Sequence, residues 1–314
     1  MCPGPLKGVL SAVAAARVLA TGLERTGVEA DQAPMADGGT GTAEALRAAL
    51  GGEWRTATVS DPFGRAVEAG FALLPDGRAV VEAAASIGLA RLAEGELDPL
   101  RASSRGLGEL IVAAQDAGAS GLVVGLGDSA TVDGGAGLRE AIGALPAGTL
   151  VACDVANPLL GPRGAAHAFG PQKGASPAQV EELERRLAAD PALAPYADLP
   201  GTGAAGGLGA ALASLGAELV PGAQLVADAI RLPERLHGAS LVVTGEGTVD
   251  QASREGKVTG HVASLAARAG VRCVVFGGRV EAALPGAEAV ALSGDASRAE
   301  ADLLEFGERL GWEA

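Results

Sequence analysis

LVVGLGDSATVDGGAG, residues 122–137, decides the fold: an apolar run of β-formers breaks at once into glycines, Asp128, Ser129, Thr131 and Asp133. The same pattern recurs in LVACDVANPLLGPRGAA (150–166) and LVVTGEGTVD (241–250). Open α/β sheets hold their ligands in this place, outside the carboxyl ends of the strands. Glycine lets backbone N–H groups surround phosphate oxygens, and carboxylates hold a metal ion beside them. The chain therefore reads as an α/β protein handling a phosphorylated or anionic small molecule.

Working outward, residues 8–27 and AEALRAAL (43–50) carry apolar positions at helical spacing, the second reached through the loop MADGGTGT (35–42). VEAGFALL (67–74), Pro75-Asp76-Gly77 and RAVVEAAA (78–85) read as an antiparallel hairpin, a module apart from the parallel strands. Helices follow at 106–117 and 136–143, with strands at 121–126 and 149–153. Ser176-Pro177-Ala178-Gln179 is a capping box with proline at the first helical position, so it predicts a helix over 176–189. Asp190–Pro200 reads as a connection and GTGAAGGLGAALASLG (201–216) as a glycine-rich helix start. A strand at 239–244, a helix at 257–269 and a strand at 271–277 complete another β-loop-α-β unit.

Composition narrows the function. The 314 residues suffice for one large or two smaller domains, and 48% hydrophobic against 20% charged residues describes a globular chain. A net charge of −14 argues against nucleic acid or an anionic membrane as partner. No apolar run approaches the roughly 18 residues that cross a bilayer. MCPGPLK has no apolar core of a signal peptide. Three widely spaced cysteines (Cys2, Cys153, Cys273) without a CxxC pair suit a reducing cytoplasm, the latter two as small buried hydrophobes. His167, His237 and His261 lack metal-ligand spacing and read as surface or packing residues.

The loops hold the candidate chemistry. Asp37 in MADGGTGT is either a metal or substrate ligand beside a helix N-terminus or a turn residue that caps the helix. GLGDSATVDGGAG is neither a Walker loop nor a dinucleotide fingerprint; its glycines, Ser129, Thr131 and Asp133 either cradle phosphate or make a tight turn. Asp154 lies just past a buried strand, with Asn157 three residues on and Lys173 in PQKGA beyond. Glu246 and Asp250 with the nearby Lys257 suit Mg²⁺–phosphate chemistry, although each alone reads more often as a solvated loop charge.

Taken in order, LKGVLSA (6–12), PMADGGTGT (34–42), GLGDSATVDGGAG (125–137), ACDVANPLLGPRGAA (152–166), FGPQKGA (169–175), GAAGGLGAAL (203–212) and TGEGTVD (244–250) with GK (256–257) resemble the bacterial glycerate kinase family. The resemblance covers nearly the whole chain. It implies two α/β domains, a parallel Rossmann- or flavodoxin-like sheet plus a second mixed α/β domain, with the site in the cleft between them. One domain is expected to be discontinuous, from 1–56 and 225–314, and the other, 57–224, to contain the hairpin. The implied activity is ATP-dependent phosphorylation of D-glycerate or a similar small hydroxy acid with Mg²⁺, in the cytoplasm, and a homodimer is compatible with it.

On that resemblance, Asp37 or Asp154 accepts the hydroxyl proton, and Lys7 or Lys173 neutralises the glycerate carboxylate or the moving phosphoryl group. Asp133, Ser129, Thr131, Asn157, Lys173 and Lys257 contact substrate or nucleotide, and Glu246 and Asp250 hold the metal. The chain also departs from the family. Gly4-Pro5 replaces Asp-Ser after an N-terminus with almost no strand, and the span from Gly143 to Thr149 is short. Thr40 stands for glutamate, Asp128 for glycine, Val132 for asparagine, Ala156 for an acid, Thr248 for arginine and Ala252 for glutamine. Two other readings stay open: a relative of little or no activity that binds a small anion or a partner, and an enzyme of different chemistry on this scaffold.

Overall fold

The structure, a computed structural model, describes residues 1–254 and 257–313, so Gly256 of the GK motif lies outside the described residues. The chain forms two compact units, one from Met1–Asp37, Glu44–Leu50 and Ala223–Ala314, the other from Gly38–Ala43 and Gly51–Gly222.

The second unit is built on a mixed sheet whose six strands lie side by side in chain order: β1 (Glu53–Ser60), β2 (Ala66–Leu73), β3 (Arg78–Glu82), β4 (Gly121–Gly125), β5 (Leu150–Cys153) and β6 (Glu218–Pro221). β1, β2 and β3 pair antiparallel, and β3 to β6 run parallel. The hairpin is present, but its second strand stops at Glu82 because Ala83–Ile87 turns into a helix, which an alanine run favours once the ladder ends. Leu107, Leu110 and Ile111 of helix Arg105–Asp116 pack with Val81, Leu122, Val124 and Val151 of the sheet in one apolar core. Helix Pro177–Ala188 starts with the expected reciprocal cap between Ser176 and Gln179, and its Val180, Leu183 and Leu187 join a second core with Val132 and Leu159. In helix Ala204–Ser214 the first turn is left-handed at Ala205, Gly206 and Gly207.

The first unit holds three parallel strands in order, β7 (Leu241–Val249), β8 (Arg272–Val280) and β9 (Glu288–Ala291). β7 corrects the sequence expectation. The ladder continues past Gly245-Glu246-Gly247, pairing Thr248 with Arg279 and Val249 with Val280, so TGEGTVD is strand nearly to its end rather than loop. The N-terminus is a second correction. Cys2 and Gly4 donate their N–H groups to Val243 and Gly245 carbonyls of β7 at 2.7 and 3.0 Å. On the other side the carbonyls of Met1 and Pro3 accept from Ala33 and Met35 at 2.8 and 2.9 Å. This is the two-residue repeat of a parallel ladder. The prolines, which have no N–H to give, disguise it by falling on the edge where only carbonyls are used. Helices Ala12–Glu24 and Ala299–Glu313 cover the apolar side, where Leu19, Leu23, Leu303 and Phe306 meet Val243, Val274 and Phe276.

Candidate active site

In the second unit three loops gather at the carboxyl ends of β4 and β5. Gly38 packs on the Ala152 carbonyl, and its own carbonyl accepts from Gly127 N–H at 3.0 Å. A Cβ on Gly125 or Gly127 would come within 2.6 Å or 2.4 Å of the Gly38–Gly39 backbone. The glycines expected to cradle phosphate are therefore required first for backbone-on-backbone packing. Glu82, at the end of β3, accepts from the N–H groups of Gly41 and Ala43 at 3.3 and 2.6 Å, and so anchors the loop before helix Thr42–Leu50. Glu82 was missed in the sequence; its one signal was an acid inside the apolar run RAVVEAAA.

Beneath the second loop lies Lys173, only 3% exposed, at the end of a short 3₁₀ turn (Pro171–Lys173). Its ammonium donates to Ser129 Oγ at 3.1 Å and to the Thr131 carbonyl at 2.8 Å. Burial pulls its pKa down to about 7, against the opposing pull of Asp133. Ser129 and Thr131 are buried too, and Thr131 Oγ1 has no partner among the described residues. These three groups meet, but they face one another rather than solvent. Lys173 therefore braces the loop from below through both contacts.

Asp133 is likewise committed. One carboxylate oxygen accepts from Ser104 N–H and Oγ, both at 2.8 Å, and from Gly137 N–H at 3.2 Å, while the other accepts from Gly135 N–H at 3.1 Å. Asp128, at φ +59°, occupies the left-handed region, and its carboxylate accepts from Thr40 Oγ1 at 2.8 Å and Thr40 N–H at 3.3 Å. The two departures from the family thus answer each other: an acid absent from position 40 is supplied from position 128. Val132 is a core residue, 1% exposed against Leu159 and Leu187, which accounts for its apolar identity. Nothing in the structure explains Ala156, Thr248 or Ala252. Asp154 is exposed just past β5, and Asn157 Nδ2 donates to the Arg163 carbonyl at 2.7 Å.

The other candidates belong to the first unit. Lys7 is exposed on a tight turn closed by Leu6 and Leu10, and Asp37 is half-buried. Glu246 is half-buried in β7, and its Oε1 is enclosed without a partner among the described residues. Asp250 Oδ1 accepts from Ser253 N–H at 3.1 Å, and Lys257 precedes helix Val258–Ala269. No cluster of three metal-ligating side chains occurs among the described residues, and none of their helices is long and apolar enough to cross a membrane. All three cysteines are free thiols. Burial pushes the Cys153 thiol up to about 11 and Cys273 to about 12, as expected of packing residues rather than nucleophiles.

A glycine-built set of strand-end loops carrying acids and lysines defines a small-molecule α/β enzyme. The profile of the glycerate kinase family matches residues 1–149 and 146–297, and the chain belongs to that family. The two matches meet at 146–149, inside the short connection from helix Ala136–Ala141 to β5. The chain is 41% identical to the glycerate 2-kinase of Escherichia coli (strain K12) over 308 residues, covering 85% of this chain and 81% of that protein. It is 38% identical to the glycerate kinase of Bacillus subtilis (strain 168), with the same coverage of both. A crystal structure of a Salmonella typhimurium LT2 protein, assigned as glycerate kinase 2, superimposes with a TM-score of 0.86 at 34% identity, covering 99% of this chain and 96% of that one.

Proposed function

We propose that this chain transfers the γ-phosphoryl group of ATP to a hydroxyl of D-glycerate, giving phosphoglycerate and ADP. The observation that carries this is the 41% identity to a glycerate 2-kinase along 85% of the chain. That relative's name also points to the 2-hydroxyl as the acceptor. No observation favours a ligand-binding relative without turnover, because the Thr40–Asp128 pair and the buried Val132 give three of the departures a structural reason.

Phosphoryl transfer asks a protein for positioning and charge stabilisation more than covalent chemistry. A half-buried carboxylate at Asp37, or the exposed one at Asp154, takes the hydroxyl proton as the oxygen attacks phosphorus. Lys7, exposed on its turn, is free of burial cost and balances the negative charge of the substrates. Lys173, Ser129, Thr131 and Asp133 hold the shape of the Leu126–Asp133 loop, and Asn157 braces its neighbour across to Arg163. Lys257, at the start of its helix, adds a second cation toward the nucleotide.

Mg²⁺ fits the residues present. An enclosed carboxylate oxygen with no partner among the described residues, Glu246 Oε1, is what a cation would satisfy, whereas Asp250, four residues further along extended backbone and so about 13 Å away, does not share that ion directly. Mg²⁺ is held by few protein carboxylates and keeps several waters, so one enclosed glutamate oxygen would serve it. When bound, it neutralises charge on the β- and γ-phosphates. The three free thiols accord with a cytoplasmic site of action.

The test is coupled ADP release by the purified protein with Mg²⁺-ATP and D-glycerate. Glycerate-dependent turnover that Asp37→Ala reduces at least 100-fold is expected. A folded protein that releases no ADP, or the same ADP without glycerate, would sink the proposal.

A further inference from the structure

We propose that the cleft at the carboxyl ends of β7, β8 and β9 takes the purine base of the nucleotide, a proposal that rests on the kinase reading above. The cleft encloses about 120 Å³ and is lined by Lys7, Gly247, Gly278 and Gly294, with Leu6, Val9 and Leu292 among its apolar walls. Parallel register brings these positions level: Glu246 pairs with Gly277, Gly277 pairs with Ala291, and Leu292 N–H donates to the Gly277 carbonyl at 2.8 Å.

Two of the glycines are explained by the protein itself. A Cβ on Gly278 would come within 3.0 Å of the Gly247 carbonyl, and Gly294, at φ +73°, rests on the Gly278 carbonyl. Gly247 is not explained in this way. Its φ lies outside the left-handed region, and a Cβ built there meets no atom of the described residues within 4 Å. Neither its backbone nor any described neighbour requires glycine at 247, and the space above it is open.

The walls say what that space suits. Val9, 40% exposed, and Leu292 present apolar surface to the opening. Of the two acids on the rim, Asp295 is turned to Ser297 N–H and Oγ at 2.9 and 2.7 Å, and Asp302 to Ser293 N–H at 3.1 Å. The slot is thus apolar wall over a peptide floor, with one lysine and two ionised carboxylates at its rim, and it suits a flat, uncharged bicyclic base. A three-carbon hydroxy acid carries oxygen on every carbon and would leave those walls unmatched. Such a base fills the slot and keeps the ribose outside.

Gly247→Leu fills the slot from its floor, and Ala296→Leu, on an exposed turn, fills it from the rim should the first variant fold poorly. Calorimetric titration with Mg²⁺-ATP is compared with inorganic tripolyphosphate, which carries the charge without the base, and KM for glycerate is read in the ADP assay. The expected result is ATP binding at least tenfold weaker in both folded variants, with tripolyphosphate affinity moving less than twofold. Unchanged ATP affinity in both, or a loss that falls on tripolyphosphate or on the KM for glycerate, overturns the proposal. Should the wild type bind ATP and the variants lose it while no phosphate reaches glycerate, the acceptor assignment fails and the base cleft stands.

Discussion

Asp133→Ala is expected to unfold the second unit at a much lower temperature, before any question of substrate arises. The carboxylate accepts four hydrogen bonds: from Ser104 N–H, Ser104 Oγ, Gly135 N–H and Gly137 N–H. Ser104, Gly135 and Gly137 are all buried, so truncation strands three N–H groups away from water. Each stranded donor costs about 1–3 kcal/mol, and allowing for partial relaxation the total is about 3–5 kcal/mol. For a unit of roughly 150–250 residues that corresponds to a fall in Tm of roughly 6–20 °C. Asp133→Asn keeps one acceptor oxygen and should lose about half as much. Differential scanning calorimetry of the three proteins without ligand decides the matter. A Tm within about 2 °C of wild type, with a raised KM for glycerate or ATP, would refute the reasoning and make Asp133 a ligand contact.

Two further outcomes follow from buried or strained groups. At position 128, glycine removes left-handed strain but loses the bonds to Thr40, whereas alanine loses the bonds and keeps the strain. Asp128→Ala should therefore be less stable than Asp128→Gly by about 1 kcal/mol in urea titrations, and equal midpoints would count against the φ argument. Lys173 carries a folded-state pKa of about 7 against an ordinary 10.5, so between these pH values the unfolded chain binds more protons than the folded one. Wild-type stability relative to Lys173→Met should thus rise as pH climbs from 7 toward 10.5. A flat difference across that window would show that the ammonium is not desolvated.

Much of the fold is legible in local signals. An unbroken apolar run marks β4, the Ser176–Gln179 box starts its helix, and Pro75-Asp76-Gly77 closes the hairpin. What escapes is structure held by partners distant in the chain. β7 keeps its ladder through Gly245-Glu246-Gly247 because β8 pairs with it on either side, overriding residues of poor strand propensity. β1 is exposed along most of its length, so EWRTATVS carries no apolar stripe to read. At the site the glycines and acids are legible, but not the hydrogen bonds that tie Asp133 to Ser104, Lys173 to Ser129 and Thr131, and Glu82 to Gly41 and Ala43. The Thr40–Asp128 contact joins positions 88 apart, which no local window can see.

The placement of residues 1–5 has a consequence for how the chain is made. Cys2 finds its ladder partner at Val243 and receives the Thr244 hydroxyl, a separation of 242 residues. At roughly 5–20 residues per second, a ribosome needs on the order of 10–50 s to supply that partner. Throughout this interval the apolar side of helix Ala12–Glu24 waits for helix Ala299–Glu313, while the six strands of the other unit emerge in their spatial order. Vectorial synthesis thus hands the second unit its complete sheet early and leaves the beginning of the chain to be captured last.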